Sequence, residues 1–170
     1  MPSKSKSKGN AFERAVADHL TEVFGYNFER VPNSGAFVGG KNNQRYDSLS
    51  KSQQLIYEGD ILVPDELHHM KIECKAYRDF SFHQLFSENK LLDSWIEQAY
   101  SKEKFWFLIF KINRRGTFVL IDYDFYMQIE HQLTSPNHAR YKDYCVISYD
   151  GFFEEITETM LQLSCSEADK

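Results

Sequence analysis

Residues 57–77 contain three side chains whose types and spacing can do chemistry on a phosphate ester: Asp60, Glu73 and Lys75. Asp60 heads a short apolar run, Ile61-Leu62-Val63, and Glu73 and Lys75 lie in a second, Met70 to Tyr77. The polar turn between them, seeded by Pro64 and Asp65, predicts a β-hairpin with a longer loop. Side chains alternate along a strand, so Glu73, Lys75 and Tyr77 share one face while Ile72, Cys74 and Ala76 form the core face. Pairing of the two runs would let Asp60 and Glu73 converge, with Lys75 beside them. A hard cation such as Mg²⁺ takes one or two carboxylates together with waters and substrate phosphate. Such a cation lowers the pKa of a bound water and neutralises charge building on the phosphate. A lysine ammonium, compact and movable, can orient the water or stabilise the pentavalent state. The alternative is a solvated ion pair, which would contribute little. The Gly59-Asp60-Ile61 lead into an apolar strand favours the chemical reading.

These residues need a scaffold, and the periodicity supplies one. Asn10 is a candidate N-cap for a helix over 11–24, with Glu13 at the capping-box position and Gly25 as the stop. Glu13 is then either a cap or a third acidic group aimed at the site. Residues 36–54 are polar and glycine-containing, an expected mobile loop whose Lys41, Arg45 and Lys51 could track a DNA strand. Leu91, Leu92, Trp95, Ile96 and Ala99 keep helical spacing and leave Gln98 on the polar side. Phe105 to Phe110 is continuously apolar and predicts a buried central strand. A turn over 113–116 leads to a strand over 117–121, followed by a helix over 124–133, a strand over 144–148 and a helix over 152–163. That order predicts an α/β fold with a mixed central sheet flanked by helices.

Composition bounds the rest. A chain of 170 residues with 42% hydrophobic and 15% aromatic content is expected to form one domain over 10–163. A flexible basic arm is expected at 1–9 and a frayed end at 164–170. Three widely spaced cysteines, with no Cys-x-x-Cys pair, suit reduced thiols in the cytoplasm better than a disulfide or zinc framework. No apolar run reaches membrane-span length, and the lysine-rich start reads as neither signal peptide nor anchor. The net charge is −5, but residues 1–54 hold 8 basic against 5 acidic side chains and residues 55–170 hold 12 against 20. The basic surplus surrounds the candidate site, so charge permits nucleic acid as a partner.

Asp60 followed by Glu73-Cys74-Lys75 resembles the PD-(D/E)XK nuclease motif, with Gly59 where the motif name has proline. The resemblance implies a restriction-endonuclease-like core. The segment Lys8-Gly9 through Glu13-Arg14 resembles the opening motif of archaeal-type Holliday junction resolvases, and similar segments occur in phage recombination nucleases. It implies Glu13 as a third metal ligand beside Asp60 and Glu73, with Lys8 and Arg14 on DNA. Arg30-Val31-Pro32-Asn33-Ser34-Gly35 resembles the resolvases' arginine and serine-glycine segment, which implies a phosphate contact by Arg30 and Ser34. Nucleases of this fold also place a glutamine near the active lysine, a role Gln98 matches by order. The resemblance thus implies a Mg²⁺-dependent DNA endonuclease, with Mn²⁺ able to substitute. It further implies branched DNA as substrate, a homodimer, a place in DNA recombination and repair, and a phage-encoded protein acting in the host cytoplasm. The alternatives are a nuclease for linear, flap or single-stranded ends and a catalytically silent DNA-binding domain of the same fold.

Overall fold

Phe105 to Phe110, apolar on both faces, forms β4 (Phe105–Ile112), an interior strand of a five-stranded sheet. The computed structural model describes residues 4–32, 59–134 and 137–167, with side chains described for 7–32, 59–134 and 137–163. β4 pairs in parallel with β3 (Met70–Tyr77), placing Glu73 opposite Leu108 and Lys75 opposite Phe110. On its other side it pairs antiparallel with β5 (Gly116–Asp122). The sheet continues through β7 (Tyr144–Ser148) to β6 (His138–Tyr141), in the order β3-β4-β5-β7-β6. Parallel neighbours need a crossover, and α2 (Lys90–Ala99) supplies it.

Helices cover both faces of this mixed sheet, giving the α/β architecture expected from the sequence. α1 (Lys4–Phe24), α3 (Tyr123–Ile129) and α4 (Phe152–Glu167) pack on the face bearing Ile72, Cys74, Phe107, Ile109 and Val119. α2 packs on the opposite face through Leu92, Trp95 and Ile96 against Trp106, Leu108 and Phe110. Its first turn is tied down, because the Asn89 side chain caps Leu92 N–H at 3.0 Å. The buried Tyr141 hydroxyl accepts from Asn89 N–H at 2.9 Å and donates to Asp93 at 2.8 Å.

Several local expectations are corrected. The run from Ile61 does not form a hairpin ladder with β3. β2 (Ile61–Leu62) pairs antiparallel with β1 (Glu29–Arg30), and it meets β3 through Asp60 instead. α1 begins at Lys4 rather than at residue 11, so Asn10 and Glu13 lie within the helix and form no capping box. Residues 4–9 contain no proline, and a single Gly9 is tolerated in a helix at a cost of about 1 kcal/mol. α3 stops at Ile129, with a 3₁₀ turn over Glu130–Gln132, and α4 runs on to Glu167. β6 is an addition to the expected strands: the polar–apolar alternation of His138-Ala139-Arg140-Tyr141 spans only four residues, too short to stand out locally, and its pairing with β7 makes it a strand.

Candidate active site

The site forms on the outer edge of β3, where no further strand of the sheet lies among the described residues. Asp60 occupies that edge as a one-residue substitute for a neighbour. Its backbone N–H donates to Ile72 C=O at 2.9 Å, and its Oδ2 accepts from Cys74 N–H at 2.9 Å. The residue between those two contacts is Glu73, so one backbone and one side-chain bond to β3 set the two carboxylates next to each other. Gly59 makes this approach possible. It sits at φ +106°, and a Cβ there would lie 2.6 Å from the Ile72 carbonyl oxygen. Glycine in place of the motif's proline is therefore required by this geometry.

Alternation along β3 separates core from site as expected. Ile72 and Cys74 are buried against α1 and α4, while Glu73 and Lys75 lie on the α2 side of the strand. Lys75 Nζ donates to Glu73 Oε1 at 2.6 Å and to Gln98 Oε1 at 2.7 Å. Gln98, expected near the lysine by order alone, thus stands beside it from the last turn of α2. Sequence reasoning missed Lys71, whose ammonium donates to the C-terminal carbonyls Gln98 O and Tyr100 O at 3.0 and 3.1 Å. Those bonds pin the helix end that carries Gln98. The available signal was positional: Lys71 precedes Glu73 and Lys75 at two-residue steps on one strand face.

Glu13 comes from α1, and its carboxylate accepts from Arg30 Nε at 2.5 Å. Arg30 Nη2 donates to Asn10 Oδ1 at 3.0 Å, one helical turn before Glu13. The guanidinium expected to face a phosphate is engaged by these two α1 side chains. Lys8 and Arg14 are exposed on α1. Ser34, Lys41, Arg45 and Lys51, with the whole expected loop over 36–54, lie outside the described residues.

The electrostatics are those of crowded acids. Burial, reinforced by Asp60, pushes the Glu73 carboxyl from 4.5 to about 7, against the attraction of Lys75 and Lys71. Burial and Asp60 also push Glu13 up, partly offset by Arg30 and Lys75. Burial works against the charge on Lys75, but Glu73 outweighs it and holds the ammonium above its usual pKa. The Cys74 thiol, buried behind the site, is raised well above its ordinary range by desolvation and then by the same acids, which makes it inert. Cys74 and Cys145 are both free.

Among the described residues no three His, Cys, Asp or Glu side chains are grouped to cage a metal by themselves. Two adjacent buried carboxylates still fit a hard divalent cation, which needs only one or two of them and fills its sphere with water and phosphate oxygens. A cation there would relieve the repulsion that raises Glu73.

A mixed five-stranded sheet flanked by helices, with Glu73 and Lys75 on its edge strand and Asp60 bonded to that edge, is consistent with a restriction-endonuclease-like core, and the family match places the chain in the PD-(D/E)XK nuclease superfamily. Residues 4–163 match a family model, and the chain belongs to that family, described as "Phage putative PDDEXK endonuclease". Neither the curated proteins nor the solved structures give a match.

Proposed function

We propose that this protein is a Mg²⁺-dependent DNA endonuclease that cuts branched DNA such as Holliday junctions, with Mn²⁺ able to substitute. The observation that carries the reading is the double contact of Asp60 with the β3 edge, which brackets Glu73 and leaves Lys75 one step further along the same face. The family description supports the endonuclease part of the reading.

Asp60 and Glu73 would hold the cation, with Glu13 reaching the same charge cluster from α1. The cation, when bound, supplies water activation and charge neutralisation at the scissile phosphate. The protein's own residues do the rest. Asp60 is held rigidly by Cys74 N–H, so its ligand geometry is set before DNA arrives. Lys75, protonated at neutral pH, presents a donor to the attacking water or a phosphate oxygen while Gln98 and Glu73 restrain it. Exposed Lys8 and Arg14 lie on α1, the helix that carries Glu13, and supply phosphate contacts that set register without reading bases. Symmetric cutting of a junction calls for a twofold homodimer, one site per strand. Recombination or repair of phage DNA in the host cytoplasm is the matching role. No helix among the described residues is long and apolar enough to cross a membrane.

Gel assays on a labelled four-way junction, a linear duplex and a single strand, each with Mg²⁺ or with EDTA, test this. The expected result is paired nicks in the junction, dependent on the cation. Equal cutting of the linear duplex would overturn the junction reading and leave a general endonuclease. Full cleavage in EDTA would overturn the metal mechanism, and binding without cleavage of any substrate would leave a silent DNA-binding domain.

A further inference from the structure

The nuclease motif accounts for Asp60, Glu73 and Lys75 but not for the geometry of Arg30. This arginine is largely enclosed, with side-chain exposure of 17%, and its partner Glu13 is at 14%. Nε donates to Glu13 Oε2 at 2.5 Å and Nη2 to Asn10 Oδ1 at 3.0 Å. Asn10 and Glu13 are three residues apart on one face of α1, so the flat guanidinium bridges two successive positions of the helix. The backbone of the same residue is paired to the site from the other side. Arg30 sits opposite Ile61 in the β1–β2 ladder, and Val31 N–H donates to Asp60 C=O at 2.9 Å. One residue therefore joins the helix carrying Glu13 to the strand segment carrying Asp60.

We propose that Arg30 is a positioning residue: it holds the Glu13 carboxylate toward Asp60 and compensates its charge, and it does not serve as a phosphate contact. Two observations support this over the phosphate role. The donors nearest Glu13 and Asn10 are already used, and both partners are fixed within a helix rather than on a loop that could turn away. Without Arg30, Glu13 would face Asp60 across a poorly solvated gap with only Lys75 left to offset its charge and no bonded partner to hold it there. Arginine suits this task better than lysine, because its planar fork can meet two acceptors at fixed positions. The inference rests on the nuclease reading for the meaning of Glu13, but its structural content can be read without cleavage.

The test is a double-mutant cycle with Arg30→Gln, Glu13→Gln and the pair, measured for junction cleavage and for DNA affinity by fluorescence anisotropy in EDTA. Positioning predicts that Arg30→Gln lowers kcat at least tenfold, about 1.4 kcal/mol in the barrier. It also predicts DNA affinity unchanged within about twofold, and a double variant no slower than Glu13→Gln alone. A tenfold loss of DNA affinity on Arg30→Gln, or a further tenfold loss of cleavage in the Glu13→Gln background, would overturn it in favour of a phosphate contact. Mn²⁺ binding to the DNA-free protein, followed by calorimetry, separates this inference from the nuclease reading. If the wild type cuts no DNA but both single variants change Mn²⁺ affinity by the same factor and the pair changes it no further, positioning stands while the nuclease reading fails. Additive changes, or no change in either, overturn positioning. Should Arg30→Gln fail to fold, Arg30→Lys, which keeps the charge but loses the second arm of the fork, carries the same cycle.

Discussion

Acidification should stabilise the cation-free protein, with Glu73 as the main cause. Its carboxyl is displaced upward from 4.5 to about 7 because burial and the adjacent Asp60 disfavour its charge. The folded state therefore holds the Glu73 proton more tightly than the unfolded state. The resulting stability is fully present below about pH 4.5 and is lost as pH rises through about 7. A displacement of that size is worth about 3 kcal/mol at 1.36 kcal/mol per pKa unit. For a domain of this length it corresponds to roughly 6–12 °C in Tm. Glu73→Gln supplies the control, since it keeps an acceptor for Lys75 and cannot ionise. Urea denaturation of both proteins in EDTA, from pH 4.5 to pH 8, isolates the contribution from other titrating groups. The variant should gain about 3 kcal/mol relative to the wild type between the two ends of that range. Parallel stability curves would refute the reasoning, because they would mean Glu73 titrates alike in the folded and unfolded chains.

Three further outcomes follow from the same geometry. Gly59→Ala should cost about 2–4 kcal/mol in urea denaturation, combining positive-φ strain with loss of the Asp60–Ile72 backbone bond; a neutral result would mean that the approach to β3 is looser than described. Asp60→Asn and Glu73→Gln should each abolish cleavage while leaving DNA affinity equal or tighter, read on one gel series and one anisotropy series, since both remove negative charge that phosphate must approach. Normal turnover in either would place the site elsewhere. Gln98→Ala should slow cleavage about tenfold, on the order of 1.4 kcal/mol, by releasing one of the two acceptors that restrain Lys75, with KM little changed; an effect confined to KM would assign Gln98 to DNA binding.

The sequence by itself determined the class of the fold and marked out candidate residues for one site. Glu73 and Lys75 stood out as candidates by residue type and two-residue spacing on an apolar strand, and Asp60 by its place at the head of the preceding apolar run. β4 and α2 were legible because a run apolar on both faces and a 3.6-residue period are local signals. Tertiary structure decided how the pieces meet. The expected hairpin is local in sequence, yet Ile61-Leu62 pairs with Glu29-Arg30, more than thirty positions earlier. Asp60 itself takes up the backbone groups of Ile72 and Cys74 that a paired strand would have used. An arginine fork donates equally well to a phosphate or a carboxylate, so Arg30 was expected to face DNA although sequence carries no statement of which anion stands opposite. Glu13 was expected either to cap a helix or to join the site, and the outcome turned on where α1 begins. With the helix starting at Lys4, its first-turn amides lie well before Glu13, so the carboxylate has no cap to make and turns instead to Arg30. Those choices depend on contacts between segments distant in the chain, which a local pattern cannot encode.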